Sequence, residues 1–157
     1  MKLEEAGDFL VGATSTVLFV GYLPLIPGTF GSIVGIGLFY VLQGIPTATY
    51  FLFILGIIVL GLLTSGRMEK LLNKKDPGCV VIDEVAGMLL ALSFMPYDFR
   101  IIFLGFIIFR ILDTLKPYPA VRLQNMHGAA GVMGDDLVAG IYTNIVLQVI
   151  LKLSCLR

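Results

Sequence analysis

Asp83 and Glu84 stand side by side in "VIDEVAGM", at the mouth of an apolar run where water is scarce and a carboxylate is costly. Three more acids border apolar runs: Asp113 in "FRILDTLKPYP", and Asp135 and Asp136 in "HGAAGVMGDD". Charges in or beside membrane-type segments are candidates for function by default. Crowded carboxylates repel one another, and a divalent cation is the natural remedy. Hard oxygen ligands favour Mg2+, Ca2+ or Mn2+ over zinc. The structural alternatives are plain. Asp83–Glu84 is also what a helix N-terminus attracts through its dipole, and Asp135–Asp136 reads equally as an N-cap.

Cations accompany the acids. Arg110, Asp113 and Lys116 recur at i, i+3 and i+6, so on a helix they fall along one side, before Pro117 and Pro119 end it. They either pair internally or turn Asp113 to a metal and the cations to an anion. Arginine grips phosphate bidentately and lysine acts as a point charge. "PGTFGS" precedes an apolar segment and plausibly opens a helix. There Gly28 and Gly31 let backbone approach a ligand, the helix N-terminus suits phosphate, and Thr29 and Ser32 add hydroxyls. It is not a P-loop, because no lysine follows the second glycine. His127, the sole histidine, has a pKa suited to acid–base work at neutral pH, although a histidine in a polar loop is often only a surface residue. The CxxxxxR pattern of cysteine phosphatases is absent, as Val85 stands six residues after Cys79. The DxDx[TV] motif of aspartyl-nucleophile phosphatases and the signatures of vanadate-type lipid phosphatases are absent too. Paired acids, a phosphate turn and cations point to metal-assisted phosphoryl chemistry.

The elements that must position these groups are greasy. The 157 residues suit one domain, with 57% hydrophobic and 14% charged residues and a mean hydropathy of +0.95. Soluble domains are nearer a quarter charged, so the composition indicates an all-α integral membrane bundle. Net charge is zero, which gives no field for nucleic acid. Cys79 and Cys155 form no CxxC and indicate neither a disulfide framework nor zinc. The start, with Lys2 against Glu4, Glu5 and Asp8, lacks the basic region of a signal peptide.

Six apolar stretches are expected, some short or re-entrant: 9–25, 33–42, 50–63, 80–95, 101–112 and 137–153. Gly35, Gly37, Gly56 and Gly61 are candidates for close helix approach, and glycine-rich helices raise the prospect of a homo-oligomer. No repeat is evident. Arg67, Lys70, Lys74 and Lys75 assign residues 65–78 to the cytoplasm by the positive-inside rule. Threading outward, "QGIPTA" and "MPYDF" fall outside. "PGTFGS", Asp83–Glu84, Arg110–Lys116 and Asp135–Asp136 all fall on the inner face. Residues 9–25 either span or lie at the interface.

Together "PGTFGS", "VIDEVAGM", "FRILDTLKPYP" and "HGAAGVMGDDLVAGIY", running from about residue 22 to 142 in that order, closely resemble the phosphatidylglycerophosphatase A family. That family usually has HGG where this chain has His127-Gly128-Ala129, which weakens any role for the amide of residue 129. The resemblance implies Mg2+-dependent hydrolysis of phosphatidylglycerophosphate in the bilayer to phosphatidylglycerol and phosphate. It also implies a site on the cytoplasmic side of a bacterial inner membrane. Asp83, Glu84, Asp113, Asp135 and Asp136 are then expected as ligands to one or two ions, one acting through water or as general base, with Arg110 and Lys116 on the phosphate. An aspartyl phosphoenzyme is the mechanistic rival. Two other classes compete. A CDP-alcohol phosphotransferase lacks its spaced DG…AR…G…D…D signature here, and a small anion transporter usually shows repeats.

Overall fold

A computed structural model describes residues 3–155, with side chains placed for residues 5–154. The Lys2, Glu4 and Cys155 side chains named above lie outside the described residues. Seven α-helices and no strand occur among the described residues, in line with the all-α expectation. They are α1 (Leu3–Ser15), α2 (Pro27–Val41), α3 (Thr47–Leu72), α4 (Ile82–Ala91), α5 (Phe99–Leu115), α6 (Ala120–Gln124) and α7 (Ala129–Cys155), with a 3-10 turn at Val20–Tyr22.

The six apolar stretches do not become six spans. Among the described residues, only α3 and α7 are long and apolar enough to cross a membrane, about 39 Å each at 1.5 Å per residue. Just 22% of each apolar window is buried, unlike the core helix of a soluble protein. Ile141, Ile145, Val149 and Leu153 form an exposed apolar stripe down α7 at four-residue spacing. These faces mark a membrane protein. α2 and α4, at 15 and 10 residues, fall short of the roughly 20 residues of a span, and α5, at 17, is at the lower limit.

The first stretch breaks. α1 ends at Ser15, and Val17, Leu18 and Phe19 follow with positive φ. Thr16 stabilises the break: its hydroxyl donates to Gly12 O (2.7 Å) and accepts from the Phe19 amide (3.1 Å). Residues 9–25 are therefore neither one spanning helix nor one interfacial helix. The third stretch, by contrast, overruns its expected end. α3 continues through the polar block to Leu72 and closes on a left-handed Asn73.

α4 is the centre of the molecule. The apolar run 80–95 yields a helix of only 10 residues, nearly all buried and packed chiefly on α7 and α2. A helix ending inside a bundle leaves carbonyls that water cannot reach. Distant side chains satisfy them. Asn144 of α7 donates to Ala91 O (3.0 Å) and Ser93 O (2.6 Å), and the Tyr50 hydroxyl of α3 donates to Leu89 O (2.7 Å). α4 thus fits the expectation that some of the apolar helices are short.

Glycines set the spacing around α4. A Cβ on Gly87 would meet Asp136 O at 2.7 Å and the Phe109 ring at 2.8 Å, and one on Gly140 would collide with Gly87 O. The α4 and α7 backbones therefore touch at Gly87 and Gly140. On α2, a Cβ on Gly31 would stand 2.9 Å from that of Val81, and one on Gly35 2.8 Å from that of Met88. Among the four glycines singled out from sequence, Gly35 and Gly61 do face neighbours, whereas Gly37 and Gly56 face open space.

Gly87→Ala is expected to cost about 1–3 kcal/mol, the scale of overpacking against backbone that cannot move aside. Gly37→Ala, which meets nothing and gains helix propensity, should be neutral or stabilising. Thermal unfolding in detergent checks this; equal midpoints for the two variants would contradict the contact.

Candidate active site

Each acid arrives on a helix end. Asp83 and Glu84 occupy the first turn of α4. Asp135 and Asp136 lie in the second turn of α7, because that helix begins at Ala129; the N-cap reading is corrected. Gly87 and Gly140 each stand four residues, one turn, beyond Asp83 and Asp136. The backbone crossing therefore draws the two aspartates together. The sequence carries a signal for this that spacing arguments passed over: "DEVAG" (83–87) is echoed by "DLVAG" (136–140).

The five acids divide into three and two. Carboxylate oxygens of Asp83, Glu84 and Asp136 lie within 4.8 Å of one another, with Asp83 and Asp136 buried. The Glu84 amide donates to Asp83 Oδ1 (3.1 Å). Glu84 Oε2 is buried and accepts no hydrogen bond. A buried carboxylate oxygen without a donor, beside two more carboxylates, is costly unless a cation fills the gap. This hard, all-oxygen set fits Mg2+ or Mn2+.

The other two acids hold cations. Asp113 Oδ2 lies 2.8 Å from Arg110 Nη1, one helical turn back. At that distance the two are an ion pair, yet Nη1 is buried with no aligned hydrogen-bond partner, so the pairing leaves its N–H unspent. The Asp113 carboxyl also faces Asp136. Lys116 pairs directly with Asp135. It sits past the end of α5 in left-handed conformation, so only Arg110 and Asp113 share a helical side. Burial alone would lower the Lys116 pKa, but Asp135 more than offsets this and holds it above its ordinary value, keeping the ammonium charged.

"PGTFGS" opens α2, as its place before an apolar segment leads one to expect, with Pro27 as the first residue. A Cβ on Gly28 would collide with Glu84 Oε1 and stand 3.2 Å from Arg110 Nη1, so a side chain there would have to displace the ends of both functional side chains. The expected donors are largely committed. The Thr29 and Phe30 amides donate to Ile26 O at 3.0 and 3.3 Å, and the buried Ser32 hydroxyl donates to Gly28 O at 3.0 Å. The Thr29 and Phe30 amides and the Ser32 hydroxyl are thus spent within the helix, which narrows the expected cradle to the remaining amides of the turn.

His127 is exposed on the loop between α6 and α7 and is not among the grouped acids. The next residue, Gly128, has φ +82°, which favours glycine. Ala129 already begins α7, so its side chain is tolerated where the resembled pattern has a second glycine. Sequence reasoning missed Glu69. Its carboxylate accepts from the Gly128 amide (2.8 Å) and the Asp76 amide (2.9 Å), tying the loops that lead into α7 and α4. Its place on the extended α3 could not be seen while that helix was ended at residue 63.

Neutralising one acid removes repulsion and leaves metal binding incomplete. In EDTA, Asp83→Asn should therefore unfold a few degrees above the wild type. Mg2+ or Mn2+ should raise the wild-type midpoint and leave the variant unmoved. A variant that is less stable in EDTA, or still stabilised by metal, would contradict the shared site.

Comparison with known proteins bears on the chemistry. The family model for phosphatidylglycerophosphatase A matches residues 13–151. A phosphatidylglycerophosphatase A of Escherichia coli K12 is 37% identical over 77% of this chain and 72% of its own. A putative phosphatidylinositol-3-phosphatase of Bacteroides thetaiotaomicron is 32% identical over 90% and 94%, and the Haemophilus influenzae phosphatidylglycerophosphatase A is 31% identical over 77% and 76%. No solved structure matches. The matched span contains all four motifs and every grouped acid, and the chain belongs to the phosphatidylglycerophosphatase A family of phosphatases.

Proposed function

We propose that the protein removes the terminal phosphate of phosphatidylglycerophosphate in a Mg2+-dependent hydrolysis at the cytoplasmic face of a bacterial inner membrane. The observation that carries this is the trio of Asp83, Glu84 and Asp136 with an unpartnered Glu84 Oε2, set beside two ion-paired cations. Asp83, Glu84 and Asp136 hold the ion. When bound, Mg2+ supplies charge neutralisation and Lewis-acid polarisation of phosphate oxygens.

The chain's own groups do the rest. Arg110 presents its unspent N–H to a phosphate oxygen, oriented by Asp113. Lys116, kept protonated by Asp135, adds a second positive charge where negative charge develops. Gly28 keeps the mouth open, Gly31 lets α2 pack closely on Val81 below it, and Thr29 follows Gly28 in the same turn. His127, exposed on the loop before α7, is the candidate for proton exchange with water. The cytoplasmic orientation follows from Arg67, Lys70, Lys74 and Lys75 at the same end of α3 as Glu69.

A second reading has its own support. The relative with the widest overlap among those above carries a phosphatidylinositol-3-phosphatase name, and both lipids present a phosphomonoester at a membrane surface.

Purified protein given phosphatidylglycerophosphate, phosphatidylinositol 3-phosphate and phosphatidic acid should release phosphate fastest from the first. EDTA should abolish release and Mg2+ restore it. Asp83→Asn and Asp136→Asn should each lose about 100-fold or more, the scale of one lost transition-state contact. Turnover surviving EDTA, or full activity in both variants, would contradict the metal site. Preference for the inositol lipid would select the second reading. Acid-stable phosphate trapped on the protein would replace water by an aspartate as first nucleophile.

A further inference from the structure

We infer that one acyl chain of the lipid substrate lies in the seam between α2 and α5, so that the substrate enters sideways from the bilayer. The inference rests on the lipid-phosphatase reading and goes beyond it, since it names the route and the anchoring surface.

α2 and α5 both pack on the central bundle yet touch each other only lightly. Between them runs an almost wholly apolar groove of about 230 Å³, walled by Ile33, Ile36 and Tyr40 on one side and Phe99, Phe103 and Phe106 on the other. Farther along α5, a second apolar cleft beside Ile107 and Ile111 reaches Arg110. The two share one face of α5, where Phe103, Ile107 and Ile111 follow at four-residue spacing and all are exposed.

The seam has a polar head. Gly28 of α2 and Arg110 of α5 meet there against Glu84, and Arg110 Nη1 has an unspent N–H. From Arg110 to Phe99 the helix runs about 16 Å. That is about the depth of one leaflet, half of a roughly 30 Å hydrocarbon core. A phosphorylated headgroup at Arg110 therefore places its own chain in the groove. A free phosphate or a deacylated headgroup would use the polar end alone. A stripe on α7, by contrast, carries no charged residue from Ile141 to Val149.

The chain contains no tryptophan, so a single one reports without background. Phe103→Trp places it in the seam, and Ile145→Trp on the α7 stripe serves as control. Each protein is reconstituted in phosphatidylcholine with Mg2+ and a low mole fraction of a brominated-chain phosphonate analogue of phosphatidylglycerophosphate, or of brominated phosphatidylcholine. The expected result is several-fold stronger quenching of the Phe103→Trp reporter by the phosphonate than by phosphatidylcholine, and no difference between the lipids for Ile145→Trp. Equal quenching by both lipids at Phe103→Trp would overturn the seam. So would efficient disulfide cross-linking of Phe103→Cys between copies in membranes, which would make the groove a subunit contact. Quenching by brominated phosphatidic acid equal to that by the phosphonate would uphold the seam and instead count against the phosphatidylglycerophosphate reading.

Discussion

Three carboxylates gathered where water is scarce are the constraint on which this structure turns. Asp83, Glu84 and Asp136 repel one another, and burial strengthens that repulsion. The chain brings them together through glycine. At Gly87 and Gly140 the α4 and α7 backbones meet without side chains between them, one turn from Asp83 and Asp136. Packing energy spread along the central helix thereby offsets a local electrostatic cost, and a bound cation would convert that cost into affinity. Sites that carry such built-in tension commonly trade stability for activity.

The surrounding polar groups follow from the same constraint. Asp113 and Asp135 lie at the edge of the trio, each steadying a cation, and Asp113 also meets Asp136. Arg110 then faces three ways, toward Asp113, toward Glu84 and toward the opening of the α2–α5 seam. Glu69 fixes the loops that feed Asp83 and Asp136 without approaching the trio itself. Far from the site, Asn144 and Tyr50 close the other end of α4, which lets a helix of only 10 residues sit inside the bundle.

Much of the site was legible in the sequence, because acids and cations are scarce in so apolar a chain and gather in a few short clusters. Helix ends were less so. Residues 80–95 carry no stop signal, and α4 ends where it does because Asn144, more than 50 positions on, accepts the role of cap. The break at Val17–Phe19 is likewise hidden, since Val, Leu and Phe rarely adopt positive φ and nothing local announces it. Division of the five acids into a trio and two cation holders depends on side-chain reach, which spacing does not encode. The "DEVAG" and "DLVAG" echo did encode the α4–α7 crossing, but its meaning appears only once the two glycines are seen in contact.

The central claim is that the trio holds a divalent cation. Mn2+ makes this directly visible, because it prefers the same oxygen ligands as Mg2+ and has an electron paramagnetic resonance signal that distinguishes bound from free ion. Titrated into purified protein, Mn2+ should bind saturably to the wild type, and Glu84→Gln combined with Asp136→Asn should abolish that binding while the fold persists. Unchanged Mn2+ binding in the double variant, or no bound Mn2+ in a wild-type sample that turns over with it, would contradict the account.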